Sequence, residues 1–244
     1  MSPSGGHRTS RWRTIAFASW ALTIGLLVGW LVLAPAHDTD GGAPGEHSAD
    51  VGFARDMAVH HAQAVEMADL IRQRTADPEI RQLATDIVLG QQDQIGQMQG
   101  WLIEWGRNLT SLDPPMHWAA GTDAPHGMVG MASRSEINEL STLDVAAAEV
   151  RFLQLMVNHH RGGVIMAEAA QPLVTRRSVY DLATSIVASQ NAEIELMTAM
   201  LAVRGAAPPP EPAVMPGDMT TGTDMGMAGM DMGMATTTAV PPAT

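Results

Sequence analysis

The sequence predicts an all-α protein: a four-helix bundle made of two repeated helical hairpins, with an N-terminal transmembrane helix before it and a disordered Met-rich tail after it. Three observations predict this. The chain repeats itself at one constant offset of 99 residues, so that Phe53, Met57, His60, His61, Met67 and Ala68 recur as Phe152, Met156, His159, His160, Met166 and Ala167. Each copy holds two long stretches with an apolar helical stripe, bounded by start and stop signals. The segments outside the two copies have a different composition, uncharged and apolar at one end and rich in Met, Pro, Gly and Thr at the other.

Residues 1–13 carry Arg8, Arg11 and Arg13 and no acid, and residues 14–34 carry no charge. About twenty such residues span a bilayer as a helix, and flanking arginines keep their end in the cytoplasm. Residues 1–13 are therefore read as cytoplasmic, 14–34 as a single-pass signal anchor and 35–47 as a linker on the extracytoplasmic side. Ala34-Pro35-Ala36 resembles a small-residue cleavage site; cutting there would make the protein secreted, but the length of the apolar run favours an uncleaved anchor.

The bundle is read as 48–205, with repeat one at 48–106, a connector at 107–143 and repeat two at 144–205. Ser48 caps a helix over 49–74, with Asp50 in its first turn. Asp77-Pro78 starts a second, which ends near Trp105 before Gly106. The connector is expected to hold one short helix, 136–141, behind Ser135. A third long helix follows Asp144 and ends before Pro172, and Ser178 with Asp181 is expected to form a capping box for the fourth, which runs to about Val203 before Gly205. Each hairpin has one apolar face that it cannot bury alone, so the two pack face to face. Residues 206–244 have no apolar periodicity and are read as the disordered tail.

Composition narrows the chemistry. The formal net charge is -12, which disfavours nucleic acid and favours cations. The absence of cysteine excludes disulfides, thiolate metal sites and cysteine nucleophiles. Methionine, at 18 residues against three Phe and one Tyr, is the outlying count, and it serves as core filler or as ligand.

At about 100° per residue, Met57, His60, His61, Ala64, Met67 and Ala68 share one arc of the first helix, and Met156, His159, His160, Gly163, Met166 and Ala167 share the same arc of the third. Gln91, Met98 and Trp105, and then Gln190, Met197 and Leu201, stripe the second helix of each hairpin. The small residues Ala64 and Gly163 would leave room for imidazoles. A lone histidine on such a face is ordinarily a hydrogen-bonded core residue. Four in one small core have few partners in sight, and each left unpaired costs on the order of 1–3 kcal/mol; metal coordination would satisfy them. Thioether sulfur selects Cu(I), with Ag(I) as its mimic, and imidazole also suits Cu(II), whereas zinc prefers Cys, His and carboxylate. The candidate metal ligands are therefore Met57, His60, His61, Met67, Met156, His159, His160 and Met166, and the metal is copper, Cu(I) first.

The tail repeats this chemistry with Met215, Met219, Met225, Met227, Met230, Met232 and Met234, interspersed with Asp218, Asp224 and Asp231. Met116, His117, His126, Met128 and Met131 in the connector are weaker echoes.

The pattern Phe-x3-Met-x2-His-His-x2-[Ala/Gly]-x2-Met-Ala, present twice, resembles the bacterial family called domain of unknown function 305, over about 48–205. The resemblance implies a ferritin-like bundle and exported proteins tied to copper binding and copper resistance, and it too marks Met57, His60, His61, Met67, Met156, His159, His160 and Met166 as copper-site residues. The expectation is a membrane-anchored extracytoplasmic copper-binding protein that sequesters or transfers the metal and is not an enzyme. A copper donor or acceptor protein and a second copy of the chain are the partners left open. Two alternatives stand beside it. One is a structural or partner-binding bundle whose histidines are polar core. The other is a ferritin-like di-metal oxidase, which would need Glu-x-x-His pairs that this chain lacks.

Overall fold

The computed structural model describes residues 42–120 and 128–211. The transmembrane segment predicted over 14–34, His126 and the tail methionines lie outside these residues. Among the described residues no helix is long and apolar enough to cross a membrane.

Five α-helices and one 3-10 turn make up the described chain: α1 Ala49–Arg74, α2 Pro78–Glu104, the turn His117–Ala119, α3 Arg134–Thr142, α4 Val145–Ala170 and α5 Arg177–Val203. The four long helices form two hairpins, α1 on α2 and α4 on α5, joined chiefly through α1 against α4. Short α3 lies on α4 and α1, and the 3-10 turn lies on α1.

The ends follow the sequence signals closely. Ser48 Oγ accepts from Val51 N, and Asp77 accepts from the amides of Glu79 and Ile80 with Pro78 at the first helical position. Gly106 at φ +65° and Gly205 at φ +67° close the two hairpins identically. In each case the next amide returns to the same carbonyl of the repeat, Arg107 N to Leu102 O at 2.7 Å and Ala206 N to Leu201 O at 3.0 Å, a left-handed stop that favours glycine.

Two predicted caps are corrected. The short helix begins at Arg134 rather than Glu136, because Ser133, not Ser135, makes a reciprocal capping box with Glu136. Ser178 and Asp181 do not cap α5: its N-cap is Arg176, Ser178 already lies inside the helix, and Asp181 pairs with Arg177 one turn back. The start of α5 is held from another helix. Asp50, buried in the first turn of α1, accepts from the amides of Thr175 and Arg176 and from the Thr175 hydroxyl. That carboxylate satisfies donors a local cap would otherwise take and ties the two hairpins together.

Segments assigned to the linker and tail also touch the bundle. Glu46 pairs with buried Arg55, and Arg107 donates to Pro44 O. Beyond α5, Arg161 donates to Pro209 O and pairs with Glu211.

The core divides into two apolar clusters along the bundle. One takes Phe53 and Met57 from α1, Met98 and Leu102 from α2, Met166 and Ala170 from α4 and Ile186 from α5. The other takes Met67 and Ile71 from α1, Ile87 from α2, Phe152 and Met156 from α4 and Met197 from α5. The start of α1 thus meets the end of α4 and the reverse, so the two helices run antiparallel. Both histidine pairs fall between the clusters.

Candidate metal centre

Where α1 and α4 cross at mid-length, His60, His61, His159 and His160 are all fully buried. The His60 and His159 rings, one from each hairpin, have centroids 3.8 Å apart and planes 34° apart. His61 lies 6.4 Å from His60 and His160 lies 6.3 Å from His159, ring to ring. The helical arc thus places all four imidazoles in one cluster.

Three of the rings have their orientation fixed through Nε2. His60 Nε2 donates to Val129 O at 3.1 Å, His61 Nε2 to Gln94 Oε1 at 2.6 Å and His160 Nε2 to Glu193 Oε2 at 2.5 Å. These acceptors have no proton to give, so each of the three rings carries a proton on Nε2. None of those three Nδ1 atoms has a hydrogen-bond partner, and neither ring nitrogen of His159 has one. Burial is the main cause pushing His60, His61 and His159 toward neutrality. It takes His60 down to about 3, with the His61 charge second, and His61 down to about 4 against the Gln94 hydrogen bond. It holds His159 well below the ordinary histidine range, aided by the other three rings. His60, His61 and His159 are therefore neutral imidazoles with unused lone pairs, and His160 lies beside them against the Glu193 carboxylate. A ring that gives its far N–H to a carboxylate, amide or carbonyl and keeps the other nitrogen bare is the arrangement typical of a metal ligand.

Two more polar groups are stranded here. Gln91 and Gln190, equivalent in the two repeats, are buried, and neither end of either amide has a partner. The room expected beside Gly163 goes to one of them rather than to an imidazole: a Cβ at Gly163 would stand 2.3 Å from Gln190 Oε1. A similar approach at Gly162 seats the connector. A Cβ there would stand 2.0 Å from Val129 O, the carbonyl that orients His60.

All four predicted methionines are fully buried, but they divide between the clusters. Met57 and Met166 are joined by Met98, and Met67 and Met156 by Met197. Three helices thus bring methionines into the cluster on each side of the histidines, and Met116 and Met200 add a fourth to each. Met98 and Met197 were legible as inward residues, but only the fold puts them with the others. Gln94, Glu193 and Val129 had no sequence signal, since each acts through an atom whose direction depends on packing. Met116 and Met128 pack in or against the Met57 cluster, whereas His117 is exposed.

Among the described residues no three His, Asp or Glu side chains converge to hold an ion by themselves. An ion in this core would draw on imidazole and thioether together, a donor set that suits copper and disfavours hard cations.

Comparison with known proteins agrees on the architecture. The family model for "Domain of unknown function (DUF305)" matches residues 50–201. A crystal structure of a candidate secreted DUF305 protein from Streptomyces coelicolor is 48% identical, with a TM-score of 0.65, covering 68% of this chain and 100% of that one. CopM in its Cu(II)-bound form is 27% identical, with a TM-score of 0.51, covering 63% and 96%. Protein L153 of Acanthamoeba polyphaga mimivirus is 44% identical over 55 residues, so this chain spans only 36% of that protein, and 22% of this chain is matched. With well over half its length matched by the family model, the chain belongs to the DUF305 family.

Proposed function

We propose that this protein is a membrane-anchored extracytoplasmic copper-binding protein that sequesters or passes on the metal without transforming a substrate. One observation carries the reading: four fully buried imidazoles with unpartnered Nδ1 atoms lie between two clusters that each hold buried methionines. Met57, His60, His61, Met67, Met156, His159, His160 and Met166 supply the donors, with Met98 and Met197 beside them. The low basicity of His60, His61 and His159 removes proton competition there at neutral pH, and the soft thioether donors favour Cu(I) while the imidazoles also accept Cu(II). The likeness to CopM solved with Cu(II) supports copper as the metal, and the likeness to a candidate secreted protein supports an exported, ferritin-like bundle. The span at 14–34 tethers it, and the tail methionines from Met215 to Met234 capture the ion and raise its local concentration.

The test is calorimetric titration of the full chain in detergent with Cu(I) under anaerobic, reducing conditions and separately with Cu(II). The variant replaces His60, His61, His159 and His160 by Leu, which keeps the core apolar and filled; circular dichroism checks the helices. Loss of the tightest copper-binding phase with helicity retained is expected. Unchanged stoichiometry and affinity in the variant reject the bundle site.

A further inference from the structure

The two hairpins match at every candidate ligand, yet they differ in what holds the outer rings. His61 donates to Gln94, a neutral amide; His160, its equivalent 99 residues on, donates to Glu193, a carboxylate. Glu193 is no ordinary surface acid, since its side chain is only 16% exposed and meets a fully buried ring. A second difference lies on the same side. Burial keeps the Asp86 carboxyl above its usual range against the Gln82 hydrogen bond, and the Glu193 charge adds to the rise. The residues related to this pair by the repeat are Ser185 and Gln94, both neutral. One side of the approximate two-fold thus carries two acidic groups, and the other carries none at those positions.

This matters for a cation. An ion held by imidazoles and thioethers keeps its whole charge, and burying that charge uncompensated is costly. A carboxylate one ring away offsets it and makes the attached imidazole a stronger donor. Across one imidazole, at an effective dielectric constant of about 20, a unit charge is worth on the order of tenfold to hundredfold in binding.

Resting on the copper reading above, we infer that Glu193 breaks the symmetry of the site: the first monovalent soft ion lodges on the His160 side, held there by the Glu193 carboxylate, and the His61 side fills second and more weakly. Glu193 is a positioning residue in this scheme, acting through His160.

The experiment follows the histidine ring nitrogens of the full chain in detergent micelles by 15N NMR during titration with silver(I), which reports the bundle whatever the tail binds. Glu193→Gln removes the charge and keeps an acceptor, as Gln94 does in the other hairpin, so the fold is not at stake. In the native chain His160 signals are expected to move at the lowest silver ratios and His61 signals later. Glu193→Gln lowers the first affinity tenfold to hundredfold and abolishes the order. The exchange Gln94→Glu with Glu193→Gln restores the affinity and makes His61 lead, a reversal that a merely structural role for residue 193 would not produce. If all four rings respond to silver but neither order nor affinity follows the carboxylate, this inference is overturned and the copper site stands. If no ring responds, the copper reading itself falls.

Discussion

Gln63 and Gly162 occupy the same place in the two hairpins and treat the connector in opposite ways. Gln63 holds it with a pair of hydrogen bonds to the Ala132 carbonyl and amide, at 3.0 and 2.7 Å. Gly162 holds nothing and lets the Val129 carbonyl come down onto the bare helix backbone. The same contrast recurs elsewhere. Gly52 leaves space that Trp118 fills, while its equivalent Arg151 reaches Glu136 and Glu139 on α3. Ala62 is exposed, while its equivalent Arg161 clasps the chain after α5. By contrast Phe53 and Phe152, Met57 and Met156, and both histidine pairs are unchanged and fully buried. Identity between the repeats marks the shared core; these divergences mark where a segment with no counterpart crosses one hairpin only. Gln94 against Glu193 follows neither rule, because that difference touches the histidines themselves.

Acid is the strongest way to break the shared half of this comparison. A histidine whose folded value lies below its unfolded one contributes full stability above the unfolded value, about 6.5, and loses it as pH falls toward the folded value. The window therefore runs from 6.5 down to about 4 for His61 and about 3 for His60, with His159 falling in the same direction. At about 1.4 kcal/mol per pH unit per ring, His60 and His61 together cost on the order of 4 kcal/mol by pH 5, a large part of the stability of a domain, and His159 adds to the loss in the same direction. Urea midpoints of the metal-free protein should hold level from pH 8 to 7 and fall steeply between 6.5 and 5. A level midpoint down to pH 5 would mean that the rings are not buried as a neutral set.

Next in size is the divergent half. Gly162→Ala drives a methyl into the Val129 carbonyl, where only backbone can yield, and should cost about 3 kcal/mol. Gln63→Ala strands the Ala132 amide and carbonyl and should cost about 2 kcal/mol. Denaturant unfolding at pH 7.5 compares them directly. A negligible cost for Gly162→Ala would mean that the connector is not seated on α4.

How much of this was legible beforehand follows from the kind of signal each part leaves. The offset of 99 residues exposed the hairpins, and Ser48, Asp77-Pro78, Asp144, Gly106 and Gly205 act within one or two turns, so local sequence shows them. The start of α5 was misread because its cap, Asp50, arrives from 126 residues away and leaves no local trace. The short helix was misplaced for a plainer reason: Ser133 and Glu136 have capping-box spacing, and Ser135 is merely nearer. At the site, helical periodicity suffices to aim four histidines at a core. It says nothing of which nitrogen keeps its lone pair, because that depends on Val129, Gln94 and Glu193, each contributed by a different segment.

The smallest expected change in stability separates the two meanings of the methionines. Met57→Leu and Met156→Leu alter equivalent positions in opposite clusters. Leucine matches methionine closely in volume, so each change should cost under about 1.5 kcal/mol. The thioether is lost outright. If these methionines only fill space, Cu(I) affinity measured against a chromophoric chelator will be the same in both variants as in the native chain. If they are donors, affinity should fall at least tenfold in each, at nearly constant melting temperature. The comparison sharpens because fold and chemistry then move apart. A core that tolerates the swap and a site that does not cannot be one and the same selection for packing.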